Sequence, residues 1–308
     1  MIGIIGSGAL ATLFAARLDG HAEVVVIGSW KPQLAALRQG LTLIHLDGRQ
    51  TEHQVAVTAD PAAAGPVDAA LVLVKSYQTP QAVARAQAAL SANGVAVTLQ
   101  NGAGNLEQLQ AALGRRATLG VTSLGATLER PGVVRHAGEG PIHLAPPDLA
   151  AGDPAQNAAQ KAFGDLVAAL RAAGFDVQLT EDVAGLVWGK LAVNAGINPL
   201  TALLAVPNGF LAEHRACRRL MEAAAREVGA VAAAQGIVLP TGDPAAAALD
   251  VARRTAANRS SMLQDRMQGR PTEIDAICGA VVAAGERHGV PTPINHLFLR
   301  WMAARSNS

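Results

Sequence analysis

A glycine-rich turn between a short apolar segment and an alanine-rich one constrains the fold more than any other feature. The segment "IGIIGSGALA" (residues 2–11) has the GxGxxG/A spacing. In that arrangement the first glycine makes a tight turn, the second lets the backbone approach a pyrophosphate, and the third small residue allows close helix–strand packing. We therefore predict a dinucleotide site here rather than an ordinary glycine turn, formed by Gly6, Ser7, Gly8, Ala9 and Leu10.

Short β-branched runs alternate with Ala- and Leu-rich stretches through the first half of the chain. This alternation predicts a doubly wound parallel sheet, because strands covered on both faces are almost continuously apolar. The predicted strands are residues 2–5, 23–27, 69–73 and 95–99, and the predicted helices are residues 9–19, 31–39, 78–92 and 104–113.

The segment from residue 117 to residue 180 predicts a more mixed ending for this first domain. Its short apolar runs indicate further strands, added antiparallel to the sheet, with a helix over 157–175 and a last strand in "DVQLTED". Residues 148–154 predict a surface loop. We place the first domain at residues 1–180.

The residues after the second predicted strand bear on the choice of nucleotide. NAD-binding domains usually place an acid there to hold the ribose 2′-hydroxyl. This chain instead has "VVVIGSWKPQ", in which Ser29 can donate a hydrogen bond and Lys31 can meet a 2′-phosphate. The pattern favours NADP, although Lys31 could also be a solvated lysine at a helix start.

Polar side chains follow the next two strands, where parallel sheets bind ligands. Lys75 and Gln78 come after one strand, and Asn101 with Gly102 after the other. We predict that Lys75, Gln78 and Asn101 contact the cofactor or an adjacent cleft; for Asn101-Gly102 the alternative is an ordinary turn dipeptide.

From residue 181 onward the apolar pattern has a helical period. The predicted helical segments are 181–206, 209–235, 243–268 and 271–289. We expect an all-α second domain at residues 181–308, with a cleft between the two domains.

Two polar patterns interrupt these helices. Lys190, Asn194 and Asn198 recur at intervals of four, so they share one helix face, as a substrate site or as an internal polar ladder. We expect Pro199 to end or bend that helix. Pro271 predicts the first turn of another helix, in which Glu273 either caps the helix or serves the site.

Composition excludes several classes of protein. Half of the residues are hydrophobic and 16% are charged, which excludes a disordered chain, and a net charge of +1 gives no electrostatic case for nucleic acid or an anionic membrane. Cys217 and Cys278 have no metal-binding spacing and predict small core residues. We find no signal peptide or spanning segment and expect a cytoplasmic protein with a small-molecule substrate and no metal; its Ala-rich helices could supply a homodimer interface.

Several motifs along the chain resemble the ketopantoate reductase (2-dehydropantoate 2-reductase) family. Besides the glycine turn they are "VK" at 74–75, "QNG" at 100–102, "WGKLAVNAGINPLTAL" at 188–203, "NG" at 208–209, "NRSSMLQDRMQGRPTEIDAICG" at 258–279 and the proline-rich ending near 289–295. The resemblance implies an α/β Rossmann-like N-terminal domain and an all-α C-terminal domain like that of 6-phosphogluconate dehydrogenase. Many members carry an arginine after the second strand, where this chain has Gly28, Ser29 and Lys31.

The resemblance also implies an activity, the NADPH-dependent reduction of ketopantoate to D-pantoate on the way to pantothenate and coenzyme A. Lys190 would be the general acid, and Glu273 would orient the lysine and the substrate and touch the cofactor. The implied substrate residues are Asn194, Asn198, Asn208, Asn258 and Ser261.

Two other interpretations remain open. One is a related reductase of another 2-oxo or 3-hydroxy acid, of the β-hydroxyacid dehydrogenase type, which does not require Glu273 or the Ser260-Ser261 region. The other is a protein that binds NADP(H) without turnover.

Overall fold

A computed structural model describes residues 1–149 and 154–306 of the chain. The chain divides into two compact units, one formed by Met1–Gln100 with Asn105–Val183 and the other by Asn101–Gly104 with Ala184–Ser308. The short segment Asn101–Gly104 therefore belongs with the helical second unit, although its neighbours in sequence belong to the first. Of the predicted loop 148–154, residues 150–153 lie outside the described residues.

Within the described residues the first unit contains twelve strands. They are β1 (Ile2–Ile5), β2 (Val24–Ile27), β3 (Leu41–Ile44), β4 (Gln50–His53), β5 (Ala56–Thr58), β6 (Val67–Val72), β7 (Leu90–Thr98), β8 (Ala117–Thr122), β9 (Gly125–Arg130), β10 (Val133–Gly138), β11 (Ile142–Leu144) and β12 (Val177–Leu179). Eight form one sheet in the order β12-β11-β8-β7-β6-β1-β2-β5. From β5 to β8 every neighbouring pair is parallel, which is the doubly wound arrangement that the sequence predicts.

Five helices accompany the strands of the first unit: α1 (Ala9–Leu18), α2 (Lys31–Gln39), α3 (Thr79–Ala89), α4 (Asn105–Leu113) and α5 (Pro154–Ala172). Successive residues of a strand point to opposite faces of its sheet. Ile4 accordingly packs into one apolar core with residues of α1 and α5, and Ile5 into another with residues of α3 and α4. This double burial explains why β1 and β2 are apolar at every position.

The end of the first unit differs from the prediction of antiparallel additions to one sheet. β8 is parallel to β7, β11 is antiparallel to β8, and β12 is parallel to β11. β9 and β10 instead join β3 and β4, two short strands that the sequence analysis did not anticipate, in a separate four-stranded sheet. β3 and β4 form a hairpin around Asp47-Gly48. The pairing of β3 with the distant β10 is a tertiary contact, which the local sequence does not indicate.

All regular secondary structure in the described part of the second unit is helical, as predicted. Its helices are α6 (Val183–Leu204), α7 (Asn208–Glu213), α8 (Arg215–Ala234), α9 (Pro244–Arg254), α10 (Ser261–Met267), α11 (Ala280–His288) and α12 (Pro293–Ser306), and a π-helical turn over Asp275–Gly279 leads into α11. No described helix has both the length and the apolar character needed to cross a bilayer. The parallel α/β unit followed by a helical unit confirms the predicted fold class.

Several predicted helix boundaries are wrong. The segment 209–235 is broken at His214, whose backbone is extended, and 243–268 is broken after Thr255, with Ser260 capping the new helix. α6 agrees closely with the predicted segment 181–206, and of the two effects expected of Pro199 the ending is wrong, because the helix continues through the proline to Leu204 among buried residues. Pro271 lies before the next helix, which begins only after Glu273.

Candidate functional site

The glycine turn follows β1 and leads into α1, and its first glycine is required by the backbone. Gly6 has a φ of +129°, and a Cβ there would lie 2.9 Å from the carbonyl oxygen of Leu73. Only glycine adopts such a conformation at low cost. The turn is therefore held tightly against the end of β6.

Gly8 shows the opposite environment. A Cβ at this position would have no other atom within 4 Å, and its φ of −79° is accessible to any residue. Gly8 is the N-cap of α1, which has no side-chain cap and no acidic residue in its first turn. The open space and the uncapped N–H groups are what an anionic group at a helix N-terminus needs.

The other predicted residues of the turn differ in exposure. Ser7 is buried, and its hydroxyl faces Gly28, where a Cβ would lie 2.9 Å from Ser7 Oγ. Ala9 and Leu10 are partly buried in the first turn of α1. The turn thus presents backbone rather than side chains at Gly8.

The ends of β2 and β6 flank this turn, because both strands are parallel neighbours of β1. Ser29 and Lys31 are exposed after β2, and the first turn of α2 has no acidic residue. Lys75 is partly buried after β6, and its carbonyl accepts a hydrogen bond from the Gln78 backbone N–H at 2.8 Å. The predicted groups therefore follow three adjacent strands at one edge of the sheet.

A buried chain of hydrogen bonds, which the sequence analysis missed, ties α2 to the glycine turn. Gln33 is fully buried; its Nε2 donates to Thr12 Oγ1 at 3.1 Å, and Thr12 Oγ1 donates to the Gly8 carbonyl at 2.8 Å. The Gln33 Oε1 accepts from the Gly132 N–H at 3.0 Å. A glutamine two residues after Lys31 is the only signal that the sequence offers for this link.

In the second unit, Lys190 lies on α6 and is partly buried. Desolvation lowers the pKa of its ammonium to about 8, and the negative charge of Glu273 opposes this by raising the pKa. The residue keeps some accessible surface, while its charged end is largely removed from water. Lys190 can therefore lose or hold its proton close to neutral pH.

Glu273 is 5% exposed and lies just before the π-helical turn. Its Oε2 accepts a hydrogen bond from Asn101 Nδ2 at 3.3 Å. This contact depends on close packing beside Asn101, since a Cβ on Gly102 would lie 2.4 Å from the Ala276 carbonyl oxygen, and that same oxygen accepts from the Ala103 N–H at 3.0 Å. Asn101-Gly102 is thus not an ordinary exposed turn.

The two asparagines that follow Lys190 at intervals of four are unequally buried. Asn194 is partly exposed, whereas Asn198 is 7% exposed. Among the described residues neither side chain has a hydrogen-bond partner, although the Asn198 carbonyl accepts from Thr201 Oγ1 at 3.0 Å. Both amides are therefore available to a ligand on the face of α6 that carries Lys190.

Asn208 is buried and packed against the turn that ends α9. Its Nδ2 donates to Thr255 Oγ1 at 2.8 Å and its N–H donates to the Asn258 carbonyl at 2.9 Å. Its Oδ1 is buried without a hydrogen-bond partner in the described part of the chain. A buried amide oxygen of this kind is costly unless a ligand or water satisfies it.

The remaining predicted substrate residues are on the surface of the second unit. The Asn258 side chain is exposed and its carbonyl is committed to Asn208, and Ser261 is the exposed first residue of α10. Their neighbour Ser260 is buried and hydrogen-bonded to Thr201. Thr201 stands in the quoted "NPLTAL" motif, but a threonine in an apolar helix carries no signal of its role by itself.

The geometry of the second unit can support one kind of chemistry in particular. A largely desolvated ammonium beside a buried carboxylate can donate a proton to an oxygen that gains negative charge. Neutral amides on the same helix face can orient the group that carries this oxygen. The described residues contain no cluster of three metal-binding side chains.

Comparison with known families assigns both halves of the chain. Residues 2–148 match the family described as ketopantoate reductase PanE/ApbA, and residues 182–306 match the ketopantoate reductase PanE/ApbA C terminal. A 2-dehydropantoate 2-reductase of Archaeoglobus fulgidus is 37% identical over 96% of this chain and 94% of its own length.

Solved structures share the fold over the whole chain. A PanE/ApbA family ketopantoate reductase from Ralstonia eutropha is 28% identical, with a TM-score of 0.88 and complete coverage of both chains. A D-mandelate dehydrogenase, in a ternary structure with NADH and anilino(oxo)acetate, has a TM-score of 0.89 at 24% identity and covers 100% of this chain and 99% of its own. At that identity the second likeness concerns the fold alone.

The family matches cover both units, and the relative is similar over nearly its full length. The resemblance drawn from the sequence motifs is therefore confirmed: the chain belongs to the ketopantoate reductase family and is an oxidoreductase.

Proposed function

We propose that the protein catalyses the NADPH-dependent reduction of 2-dehydropantoate to (R)-pantoate, a step toward pantothenate and coenzyme A. Residues 1–180 would hold the cofactor, and residues 181–308, together with Asn101, would hold the substrate. The observation that carries the proposal is the buried arrangement of Lys190, Glu273 and Asn101.

The first unit fits the cofactor. The space beside Gly8 and the uncapped start of α1 suit a pyrophosphate, and the exposed Ser29 and Lys31 suit a 2′-phosphate as hydrogen-bond donor and point charge. Lys75 and Gln78 would contact the same ligand from the end of β6. When bound, the cofactor supplies the hydride; the protein supplies orientation and charge.

Lys190 is the group that we assign to proton donation. As the carbonyl carbon is reduced, its oxygen gains negative charge, and the Lys190 ammonium both stabilises this charge and gives its proton to the oxygen. A pKa of about 8 leaves Lys190 mostly protonated at neutral pH while making the proton easier to release than that of an ordinary lysine.

Glu273 and the asparagines would position the reacting groups. Glu273 favours the charged form of Lys190 and is itself fixed by Asn101, so it can orient the ammonium and accept a hydrogen bond from a substrate hydroxyl. Neutral amides bind polar substrate groups without opposing the charge of Lys190. Asn194, Asn198 and Asn208 are the amides assigned to this role, with Asn258 and Ser261 beside them.

A related reductase of another 2-oxo or 3-hydroxy acid is the second candidate. The fold shared with a D-mandelate dehydrogenase supports it, since one architecture serves different hydroxy acids. The buried Glu273 bonded to Asn101 favours ketopantoate, because the alternative does not need that carboxylate.

The test is NADPH oxidation followed at 340 nm with ketopantoate, beside NADH and a panel of other 2-oxo acids. Rapid turnover of ketopantoate that prefers NADPH is the expected result. Turnover of a different oxo acid alone would move the protein to the second candidate, and cofactor binding without turnover of any acid would overturn the enzymatic assignment.

The remaining proposals concern the cellular location of the protein, its oligomeric state and its partners. We propose a cytoplasmic location, supported by the two unpaired cysteines, Cys217 and Cys278, which are usual in reducing compartments. We also propose a homodimer, for which the Ala-rich helices of the second unit could supply the interface. The net charge of +1 supports the absence of a nucleic-acid partner. Light scattering checks the oligomeric state.

A further inference from the structure

A pair of buried hydroxyl groups joins the two segments that carry the proposed substrate residues. Thr201 Oγ1, on α6, lies 2.7 Å from Ser260 Oγ, at the start of α10. Thr201 is fully buried and Ser260 is 7% exposed. Neither residue belongs to the set predicted to touch the substrate, so their contact needs its own explanation.

The hydrogen-bond partners fix which hydroxyl donates. Ser260 Oγ accepts from the Leu263 N–H at 3.1 Å, and the Thr201 hydroxyl lies 2.9 Å from the Ile197 carbonyl and 3.0 Å from the Asn198 carbonyl. Carbonyls only accept, so Thr201 shares its single proton between these two oxygens, and the proton of the Thr201–Ser260 bond comes from Ser260. Each buried hydroxyl is thereby satisfied, and the chain of bonds runs from α10 into α6.

This chain of hydrogen bonds links two segments that carry proposed substrate residues. Its α6 end is the carbonyl of Asn198 itself, and its α10 end is the residue directly before Ser261. Arg266, in the last turn of α10, donates to the Ala202 carbonyl next to Thr201. α10 is therefore attached to α6 at both ends, at adjacent α6 residues.

We propose that Thr201 and Ser260 are positioning residues that fix Ser261 relative to Asn198, and so set the affinity for the 2-oxo acid. The inference rests on the proposed function and deepens it. Removing one partner of a buried hydrogen bond costs more free energy than removing one partner of an exposed bond, because the remaining buried group is left unsatisfied. A change in this pair should therefore have a larger effect than a change in an exposed contact. The proton-donating Lys190 lies elsewhere on α6 and keeps its environment.

Thr201→Val tests the proposal, since valine keeps the branched shape and removes the hydroxyl. We expect the KM for the 2-oxo acid to rise about tenfold, from the loss of one buried hydrogen bond, with the KM for NADPH within about twofold. Thr201→Ser keeps a hydroxyl and should restore most of the affinity. In a double-mutant cycle, Ser260→Ala should add little to the KM of Thr201→Val.

A matched control separates positioning from general destabilisation. Asp243 caps α9 in the same unit, its side chain accepting from the Ala245 N–H at 2.9 Å, and lies outside the proposed site. Asp243→Ala should lower Tm without changing the KM for the acid. A Thr201→Val protein with lowered Tm and unchanged KM would overturn the proposal and leave the pair a purely structural link.

Hydrogen exchange keeps the inference distinguishable from the proposed function. Thr201→Val should speed exchange of the Leu263 and Gln264 amides, which donate to Ser260, while those at the start of α9 stay unchanged. If ketopantoate is not turned over but another 2-oxo acid is, the KM comparison is made with that acid. If no acid is turned over, unchanged exchange at Leu263 and Gln264 refutes the link on its own.

Discussion

The two units form their proposed binding groups in opposite ways. In the first, the groups are mostly backbone donors and exposed side chains, at the open space beside Gly8 and at Ser29 and Lys31. In the second they are buried or partly buried side chains, Lys190 and Glu273 above all, and the negative charge of Glu273 raises the pKa of Lys190. In the proposed reaction, the backbone donors of the first unit bind a cofactor that supplies the hydride, whereas the desolvated Lys190 of the second unit itself donates the proton.

Because of this contrast, a substitution can weaken binding without destabilising the fold more easily in the first unit than in the second. A backbone that binds a ligand needs empty space beside it, so a substitution that fills this space can block binding without changing the core. A buried ammonium and carboxylate are part of the core, so their removal changes both the chemistry and the packing around them. The following substitutions test that difference.

Lys190→Ala should give the largest effect. Removal of a general acid costs about 10²- to 10⁴-fold in rate, and we expect kcat with ketopantoate to fall by that amount. NADPH affinity, measured by fluorescence quenching, should stay within about twofold, because the first unit is unchanged. Lys161→Ala is the control, since that exposed lysine pairs only with Asp165 among the described residues; near-normal turnover of Lys190→Ala would remove Lys190 from the mechanism.

Gly8→Ala should weaken the cofactor without weakening the fold. The added Cβ meets no protein atom and the backbone angle suits alanine, so Tm should hold, while the methyl group occupies the space assigned to the pyrophosphate. We expect the Kd for NADPH to rise about tenfold or more, equivalent to about 1.4 kcal/mol.

Two further glycines sharpen that experiment. Unlike Gly8→Ala, Gly6→Ala should lower Tm, since the φ of Gly6 is positive and a Cβ there would lie 2.9 Å from a backbone oxygen. Gly164→Ala, in α5 with open space around it, should leave the Kd unchanged. An unaltered Kd for Gly8→Ala would place the pyrophosphate elsewhere.

Lys31→Ala should have a smaller and more selective effect. An exposed charge contributes modestly, so we expect the KM for NADPH to rise about three- to tenfold while the KM for NADH changes little. Arg38→Ala, in the last turn of the same helix, is the matched control. Equal losses for both cofactors would mean that Lys31 does not recognise the 2′-phosphate.

The contrast between the units also explains what the sequence could predict. The groups of the first unit follow directly from contiguous residues, because GSGALA lies between one strand and one helix, and the neighbouring parallel strands are apolar except for Asp68 in β6. The link from Gln33 through Thr12 to Gly8 escaped prediction because it joins two helices whose packing no local pattern records.

The site of the second unit is assembled from segments far apart in the chain. Asn101 reaches Glu273 across 172 positions, and Asn208 meets the turn at Thr255. Periodicity could place Lys190, Asn194 and Asn198 on one face, but only the family motifs could associate them with Glu273. The wrong helix boundaries at His214, Thr255 and Pro271 have the same origin, since packing and caps override a periodic pattern.

The central claim is that Lys190 donates the proton from an environment that Glu273 controls, and the pH dependence of kcat/KM tests it most directly. Donation requires the ammonium, so wild-type kcat/KM should be constant below about pH 8 and fall above it. Glu273 raises the pKa of Lys190, so Glu273→Gln should move the fall to lower pH. A profile that stays flat through pH 8, or one that Glu273→Gln leaves in place, would contradict the account.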